Sequence, residues 1–310
     1  MELPALQETG RCATTTRSGL NMTYLGFALL WLLHWLPLSI QAAIGNSLGR
    51  LAARLARPRR KIVARNLAYC FPELNETQRT NLLTRHFMSA TRAALEHGLL
   101  LWSPEHKLRK LIRLKGVEHL DKLKGKPVIV LAPHFVGLDM GGLALSFDRQ
   151  VVSMYSRQRN SVADAYMKKA RSRFNEPVLV SRHDGIRPVL RPIKQGLPLY
   201  FLPDQDQGRK ESIFVPFFGI PTATVPVLSR LAKITGAKVV PLVTRQLPDG
   251  QGYEARFYPA WDNFPTDDIE ADTMRMNRFI EERIREIPEQ YLWLHRRFKT
   301  RPEGEPSLYA

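Results

Sequence analysis

Residues 18–49 carry no Lys, Arg, Asp or Glu, and from Tyr24 to Leu38 almost every position is apolar. A bilayer core takes about 20 such residues. The run therefore predicts a membrane segment over residues 22–45, spanning or lying in the interface, with a buried core helix as the competing reading. His34, Pro37 and Gln41 weaken it as a straight spanning helix. A basic flank follows and no clean small-residue cleavage site does, which argues against a secretory signal peptide. Residues 1–21 are polar, with few apolar anchors, and read as a disordered extension.

From about residue 46 to 115 the pattern is helical. Thr77 is placed to cap a helix that turns Leu82, Leu83, Phe87, Ala90 and Ala94 inward. The pattern then changes. Val128-Ile129-Val130-Leu131-Ala132 is a short continuous apolar run, the mark of a buried strand. Similar runs recur at 151–155, 178–180, 199–202 and 239–243, with helical segments near 162–174, 186–195 and 224–235. Residues 253–258 alternate polar and apolar, which predicts an edge strand. An amphipathic helix follows over roughly 267–286. Strands alternating with helices give an α/β fold: a mixed, largely parallel central sheet flanked by helices. The predicted organisation is a polar extension (1–21), a membrane anchor (22–45), a helical subdomain (46–115) and an α/β domain (116–310).

Charge adds a partner class. The 310 residues carry a formal net charge of +17, with a hydrophobic fraction of 44% that excludes a disordered polyelectrolyte. Such a balance implies an anionic partner: a membrane surface, a phosphorylated substrate or a nucleic acid. The cations concentrate beside the apolar run. Arg50, Arg54, Arg57, Arg59, Arg60, Lys61 and Arg65 have no acid among them. The positive-inside rule places that flank on the cytoplasmic side. Leu48, Leu51, Leu55 and Ile62 interleave with it, as on a helix lying on anionic lipid. A membrane-anchored nucleic-acid binder fits the charge too, but no RRM, KH, zinc-finger or helix-turn-helix signature accompanies it.

The chemistry gathers after strand 128–132, in Pro133-His134-Phe135-Val136-Gly137-Leu138-Asp139. Active sites in such sheets form at the carboxyl ends of strands. His134 and Asp139 are five apart, so they meet only if the His is on the loop and the Asp in the first helical turn. A carboxylate on one imidazole nitrogen would leave the other as a base. Arg157 and Arg182 each follow a predicted strand and point to the same edge, although a solvated surface Arg is as ordinary a reading. Cys12 and Cys70 make neither a disulfide framework nor a metal-ligand spacing. Neither zinc nor thiol chemistry is expected, and no cofactor.

Three motifs carry a resemblance. The His-x-x-x-x-Asp pattern of His134 and Asp139 is the signature of glycerolipid-type acyltransferases. Asp204-Gln205-Asp206-Gln207-Gly208 with Phe214-Val215-Pro216-Phe217-Phe218-Gly219 is more specific. The tail Pro288-Glu289-Gln290-Tyr291-Leu292-Trp293-Leu294-His295-Arg296-Arg297-Phe298-Lys299-Thr300-Arg301-Pro302 is the most specific. Together, over about residues 22–310, they resemble the late acyltransferases of bacterial lipid A biosynthesis.

The resemblance implies a fatty acyl transfer from acyl carrier protein to a hydroxyl on a 3-hydroxyacyl chain of Kdo-bearing lipid IV-A. It places the enzyme in the bacterial inner membrane with its catalytic domain toward the cytoplasm, in contact with membrane lipids and with no nucleic-acid partner. His134 and Asp139 are then the catalytic pair. Arg171, in Ala170-Arg171-Ser172-Arg173-Phe174-Asn175, matches a functionally important family Arg; with Arg157 and Arg182 it would bind an oxyanion or substrate phosphate. Asp204 matches the family's Asp and would hold an arginine or position the acceptor, although after Pro203 it is also an ordinary turn residue. His295, Arg296, Arg297 and Lys299 would form a basic lipid-binding motif, with a solvated charged tail as the alternative. A lysophosphatidate-type enzyme using acyl-CoA keeps the superfamily and changes the acceptor, and the tail argues against it.

Overall fold

The computed structural model describes residues 17–310 apart from Arg159. Residues 1–16, and with them Cys12 and most of the polar extension, lie outside the described residues. The uncharged run is not one helix. It forms α1 (Arg17–Leu33) and α2 (Leu38–Leu55), parted by a turn at His34–Pro37. Pro37 cannot continue a helix, and the turn is tied by a Gln41 Nε2 bond to the Leu36 carbonyl at 2.9 Å. Among the described residues no helix is long and apolar enough to cross a membrane. The expected N-terminal membrane helix is thereby corrected to a broken pair.

Arg57–Cys70 forms α3, with Pro58 in its first turn, and Glu76–Trp102 forms the long α4. The cap of α4 is Asn75, not Thr77: the Asn75 side chain accepts from the Gln78 N–H while Gln78 reaches back to the Asn75 N–H. Leu82, Leu83 and Phe87 are buried as expected, but Ala94 is exposed. Gly49 lets α2 lie directly on α4, because a Cβ there would stand 2.4 Å from Met88 Cα.

The rest alternates strand and helix. In chain order these are α5 (Glu105–Leu111), β1 (Ile112–Lys115), α6 (Glu118–Asp121), β2 (Val128–Leu131), α7 (Leu138–Leu145), β3 (Val152–Tyr155), α8 (Ser161–Arg171) and β4 (Val178–Ser181). Then come α9 (Arg187–Lys194), β5 (Leu199–Phe201), β6 (Ile213–Phe217), β7 (Ile220–Thr224), α10 (Val227–Thr235), β8 (Lys238–Gln246), β9 (Tyr253–Phe257) and α11 (Ile269–Glu286). The main sheet has seven strands in the order β1-β9-β8-β2-β5-β3-β4. Every neighbouring pair is parallel except β8–β9. β6 and β7 form a separate hairpin.

Residues 253–257 are therefore interior, not the expected edge. Ile112–Lys115, inside the region read as helical, pairs along their free side. Glu254, which made the segment look half-solvated, is buried and neutralised by Arg245 and Arg256.

Strand side chains divide by parity. Ile129 and Leu131 face a core with α3, α9, α10 and α11. Val128 and Val130 face another, with α5, α7 and α8. Helix α4 contributes Leu82 and Phe87 to the first and Leu99, Leu100 and Leu101 to the second.

Candidate active site

Strand β2 ends at Leu131, and Pro133 starts a short loop that carries His134. The C-terminal segment grips this loop from behind. Leu292 N–H donates to the His134 carbonyl at 2.9 Å, and Val136 N–H donates to the Gln290 carbonyl at 2.8 Å. Phe135 and Tyr291, both buried, meet edge to face.

The carboxylate that holds His134 is Asp204. It follows β5, the strand beside β2. One oxygen lies 2.6 Å from His134 Nδ1, and the other accepts the His134 backbone N–H at 2.9 Å. Asp204 is 1% exposed. Burial pushes its carboxyl up, but the His134 ring, the His134 N–H and Arg297 outweigh that and hold it below the ordinary carboxylate range. An ionised carboxylate only accepts, so Nδ1 carries a proton in this bond, which leaves Nε2 as the nitrogen whose lone pair can serve as a base.

Asp139 takes a different partner from the one expected. It stands in the first turn of α7, as the five-residue spacing requires, but it does not bond His134. One oxygen accepts from Arg171 Nη2 at 3.1 Å; the other lies 3.2 Å from Nε2 of His97, on α4. The physical reason is that Asp204 already occupies Nδ1 of His134, while two cationic donors flank Asp139. Burial works to raise the Asp139 carboxyl; Arg171 and His97 overcome it and hold the group far below its usual value.

His134, Asp139 and Arg171 line one cavity of about 810 Å³. Leu100, Leu138, Leu143, Val151, Met154 and Ala170 supply apolar wall, whereas Arg182, His183 and Lys210 also reach it. That combination suits a long apolar chain with an anionic end. The wall depends on close seating of α7. The Tyr200 hydroxyl donates to the Leu138 carbonyl at 2.7 Å. A Cβ on Gly141 would stand 2.0 Å from Thr244 Oγ1, so only Gly lets the helix approach β8.

The other expected site residues divide. Arg182 is exposed and lines the cavity, whereas Arg157 is exposed and does not line it. The tail motif does not present four cations. Arg297 is 1% exposed and donates to the Ala223 carbonyl and to Thr224 Oγ1, which ties the β6–β7 hairpin to the body. His295 accepts the Asp206 N–H at 3.2 Å. Burial, then the Arg297 and His134 charges, push its pKa down to about 4. Arg296 and Lys299 are exposed, Arg296 over the Tyr309 ring and Lys299 4.0 Å from Asp206. The interleaving of its cations with aromatics is what suggests a lipid contact for this segment. Trp293 and Phe298 are indeed buried, and they carry Arg297 inside with them. Cys70 is also buried, and burial pushes its thiol well up, which suits a core residue rather than a nucleophile.

Sequence reasoning missed His97 and Lys210. For His97 a signal existed: Glu96-His97 is a titratable pair inside the apolar end of a helix, where such residues are rarely idle.

The chain is similar to known proteins along nearly its whole length. Residues 13–300 match the model of the bacterial lipid A biosynthesis acyltransferase family. It is 35% identical over 291 residues to a lipid A biosynthesis lauroyltransferase of Escherichia coli (strain K12), covering 93% of this chain and 94% of the relative. It is 32% identical over 291 residues to a palmitoleoyltransferase of the same pathway and organism, covering 93% and 94%. A myristoyltransferase from that organism is 33% identical over 292 residues, covering 92% of this chain and 89% of the relative.

Proposed function

Because the chain belongs to the bacterial lipid A biosynthesis acyltransferase family and is therefore an acyltransferase, we propose that it moves a fatty acyl group from acyl carrier protein to a hydroxyl of a 3-hydroxyacyl chain on Kdo-bearing lipid IV-A. The observation that carries the proposal is the His134–Asp204 pair at a cavity whose lining combines apolar side chains with Arg171, Arg182 and Lys210.

An alcohol is a weak nucleophile. His134 Nε2 takes its proton as the oxygen attacks the thioester carbonyl carbon. Asp204 keeps the ring in the required tautomer and steadies the imidazolium that forms. The tetrahedral intermediate collapses with rupture of the C–S bond. The sulfur leaves as a thiolate and recovers the proton from His134, so the enzyme ends as it began. A cysteine-like thiol has a pKa of about 8.5, so little acid assistance is needed. Arg171 faces the charge that develops on the carbonyl oxygen. Arg182 and Lys210 suit a phosphate or carboxylate of the acceptor or donor. Family membership does not set the acyl length, since the three relatives are named for three different acyl groups; the depth of the apolar cavity would.

The same reading puts the enzyme on the cytoplasmic face of the inner membrane, lying in the interface instead of spanning it. Tyr24, Leu25, Leu29, Trp31, Leu32, Trp35 and Ile40 are exposed on α1, the turn and α2, followed by Leu48, Leu51 and Leu55. The seven cations from Arg50 to Arg65 are all exposed; Arg59 and Arg65 donate to the C-terminal segment, whereas Arg50, Arg54, Arg57, Arg60 and Lys61 are in no ion pair among the described residues. An apolar surface continued by exposed cations suits an anionic bilayer.

The test is an acceptor and donor panel with purified protein. Acyl carrier protein thioester with Kdo-bearing lipid IV-A should give product by mass spectrometry. Acyl-CoA with lysophosphatidate should not. The reverse result would replace this reading with the glycerolipid one.

A further inference from the structure

One histidine near the site has both ring nitrogens committed to acceptors. His97 Nδ1 lies 2.7 Å from the Ala93 carbonyl one turn back on α4, and Nε2 lies 3.2 Å from Asp139 Oδ2. A carbonyl oxygen only accepts, so Nδ1 carries a proton. Asp139 is ionised, with its other oxygen on Arg171, so Nε2 must carry one as well. Two N–H bonds make an imidazolium. A neutral ring would aim a lone pair at one of these two oxygens.

We propose that His97 is a positioning residue for acyl transfer: an imidazolium that, with Arg171, clamps Asp139 against the wall of the cavity. The role rests on the acyl-transfer reading of the His134 site. Asp139 alone would cancel the charge of Arg171. With His97 protonated, the three groups keep one positive charge in excess, and the guanidinium stays available to an oxyanion. Loss of the His97 proton removes that excess and leaves Arg171 as the only cation on Asp139.

The surroundings of His97 favour the charged form. Asp139 faces it from α7 and Arg171 from α8. On α4 itself, Glu96 is held by Arg92 Nε at 2.5 Å and by the Tyr253 hydroxyl. Helix α1 crosses at Gly98 and brings His34, whose Nδ1 is occupied by the Trp31 carbonyl. Burial works to lower the His97 pKa and Arg171 adds to that, but the Asp139 bond and charge and the Ala93 carbonyl outweigh them and raise it. A raised value means that the clamp is complete below the ordinary histidine pKa of about 6.5 and is lost as pH rises through the folded value.

Two measurements on the full chain in detergent test this. The first is a nitrogen-15 NMR titration of the histidine rings, with His97→Gln to identify the His97 signal. We expect both nitrogens protonated at neutral pH, a pKa above about 6.5, and a fall on Asp139→Asn. A single neutral tautomer at neutral pH, or no response to Asp139→Asn, would overturn the clamp. The second is the pH profile of kcat/KM. His97→Gln keeps an N–H donor for Asp139 but neither charge nor titration. It should lower kcat by about tenfold, the scale of a charge-assisted hydrogen bond, and remove the alkaline limb. An unchanged alkaline limb in folded His97→Gln enzyme would refute the positioning role. Should that variant fail to fold, Asp139→Asn still reads the clamp, because it leaves His97 in place. A wild-type protein inactive on every donor and acceptor would sink the acyl-transfer reading, while the ring titration would still decide whether His97 is charged.

Discussion

Asp204 holds His134 twice, by the ring nitrogen at 2.6 Å and by the backbone N–H at 2.9 Å. One carboxylate thus fixes both the tautomer of the base and the path of the loop that presents it. The two residues are 70 apart in sequence. They meet because β2 and β5 are neighbours, with Leu131 opposite Phe201.

That double contact separates Asp204 from Asp139 in mutants. Asn at position 204 has one acceptor oxygen for two donors, so either the ring or the loop loses its partner. Asp204→Asn should lower kcat by about 10²–10⁴-fold, the range for loss of general-base catalysis, with a smaller change in KM. His134→Ala should lose at least as much. Steady-state kinetics on protein that remains folded by circular dichroism checks this. A near-normal kcat for Asp204→Asn would assign the base to another residue.

The same pair makes a prediction about acid. The Asp204 carboxyl is held below its ordinary value. Its contribution to stability is complete above the unfolded carboxylate pKa of about 3.9 and is lost as pH falls through the lower folded value. Wild type should therefore melt above Asp204→Asn at neutral pH, and the gap should narrow only below about pH 4. Thermal melts across that range read it. A gap that narrowed between pH 8 and 5 would mean that another group supplies the difference.

Seating of α7 on β8 can be tested apart from the chemistry. Gly141→Ala places a methyl 2.0 Å from Thr244 Oγ1, an atom that is buried and has no hydrogen-bond partner. Overpacking of this kind costs about 1–3 kcal/mol. Thr244→Ala should restore much of the loss, because it removes the clashing oxygen. Denaturation of the single and double variants gives the coupling. Additive losses would show that α7 relaxes away from β8 without strain.

These outcomes bear on what sequence alone could have told. The strand at 128–132 was legible because five apolar residues in a row leave little else, and His134 follows as the first titratable side chain beyond it. Asp204 was legible as a strand-end residue. Its partnership with His134 was not, because that depends on which strands are neighbours, and no local pattern encodes strand order. The five-residue spacing pointed to Asp139 instead, and the structure brings both residues to one cavity with a different pairing. The broken N-terminal run shows the reverse weakness: a count of apolar residues saw enough length for one element, and Pro37 made two. Arg297 misled because a charge in a basic run is normally solvated; its burial follows from the hairpin carbonyl that it satisfies.

The last prediction concerns the flank of α2 and α3. The proposed acceptor is a membrane lipid and the proposed donor a soluble protein, so the cavity must be held at the bilayer surface. Exposed apolar side chains of α1 and α2 supply attachment, and the flanking cations supply attraction and tilt. Near an anionic surface each Lys or Arg is worth about 1 kcal/mol, fading within a Debye length. Arg59 and Arg65 are better left alone: Arg59 donates to the Leu294 carbonyl at 3.4 Å and Arg65 to the Leu308 carbonyl at 3.1 Å. Arg54, Arg57, Arg60 and Lys61 are exposed and outside any ion pair among the described residues. Their joint replacement by Gln should reduce activity on acceptor in anionic vesicles by tenfold or more, since four contacts at about 1 kcal/mol each exceed that even after partial screening. In neutral detergent micelles the loss should be slight. Raising salt should shrink the wild-type advantage in vesicles and leave micelle rates alone. Equal losses in vesicles and micelles would place these cations in folding or in direct substrate contact.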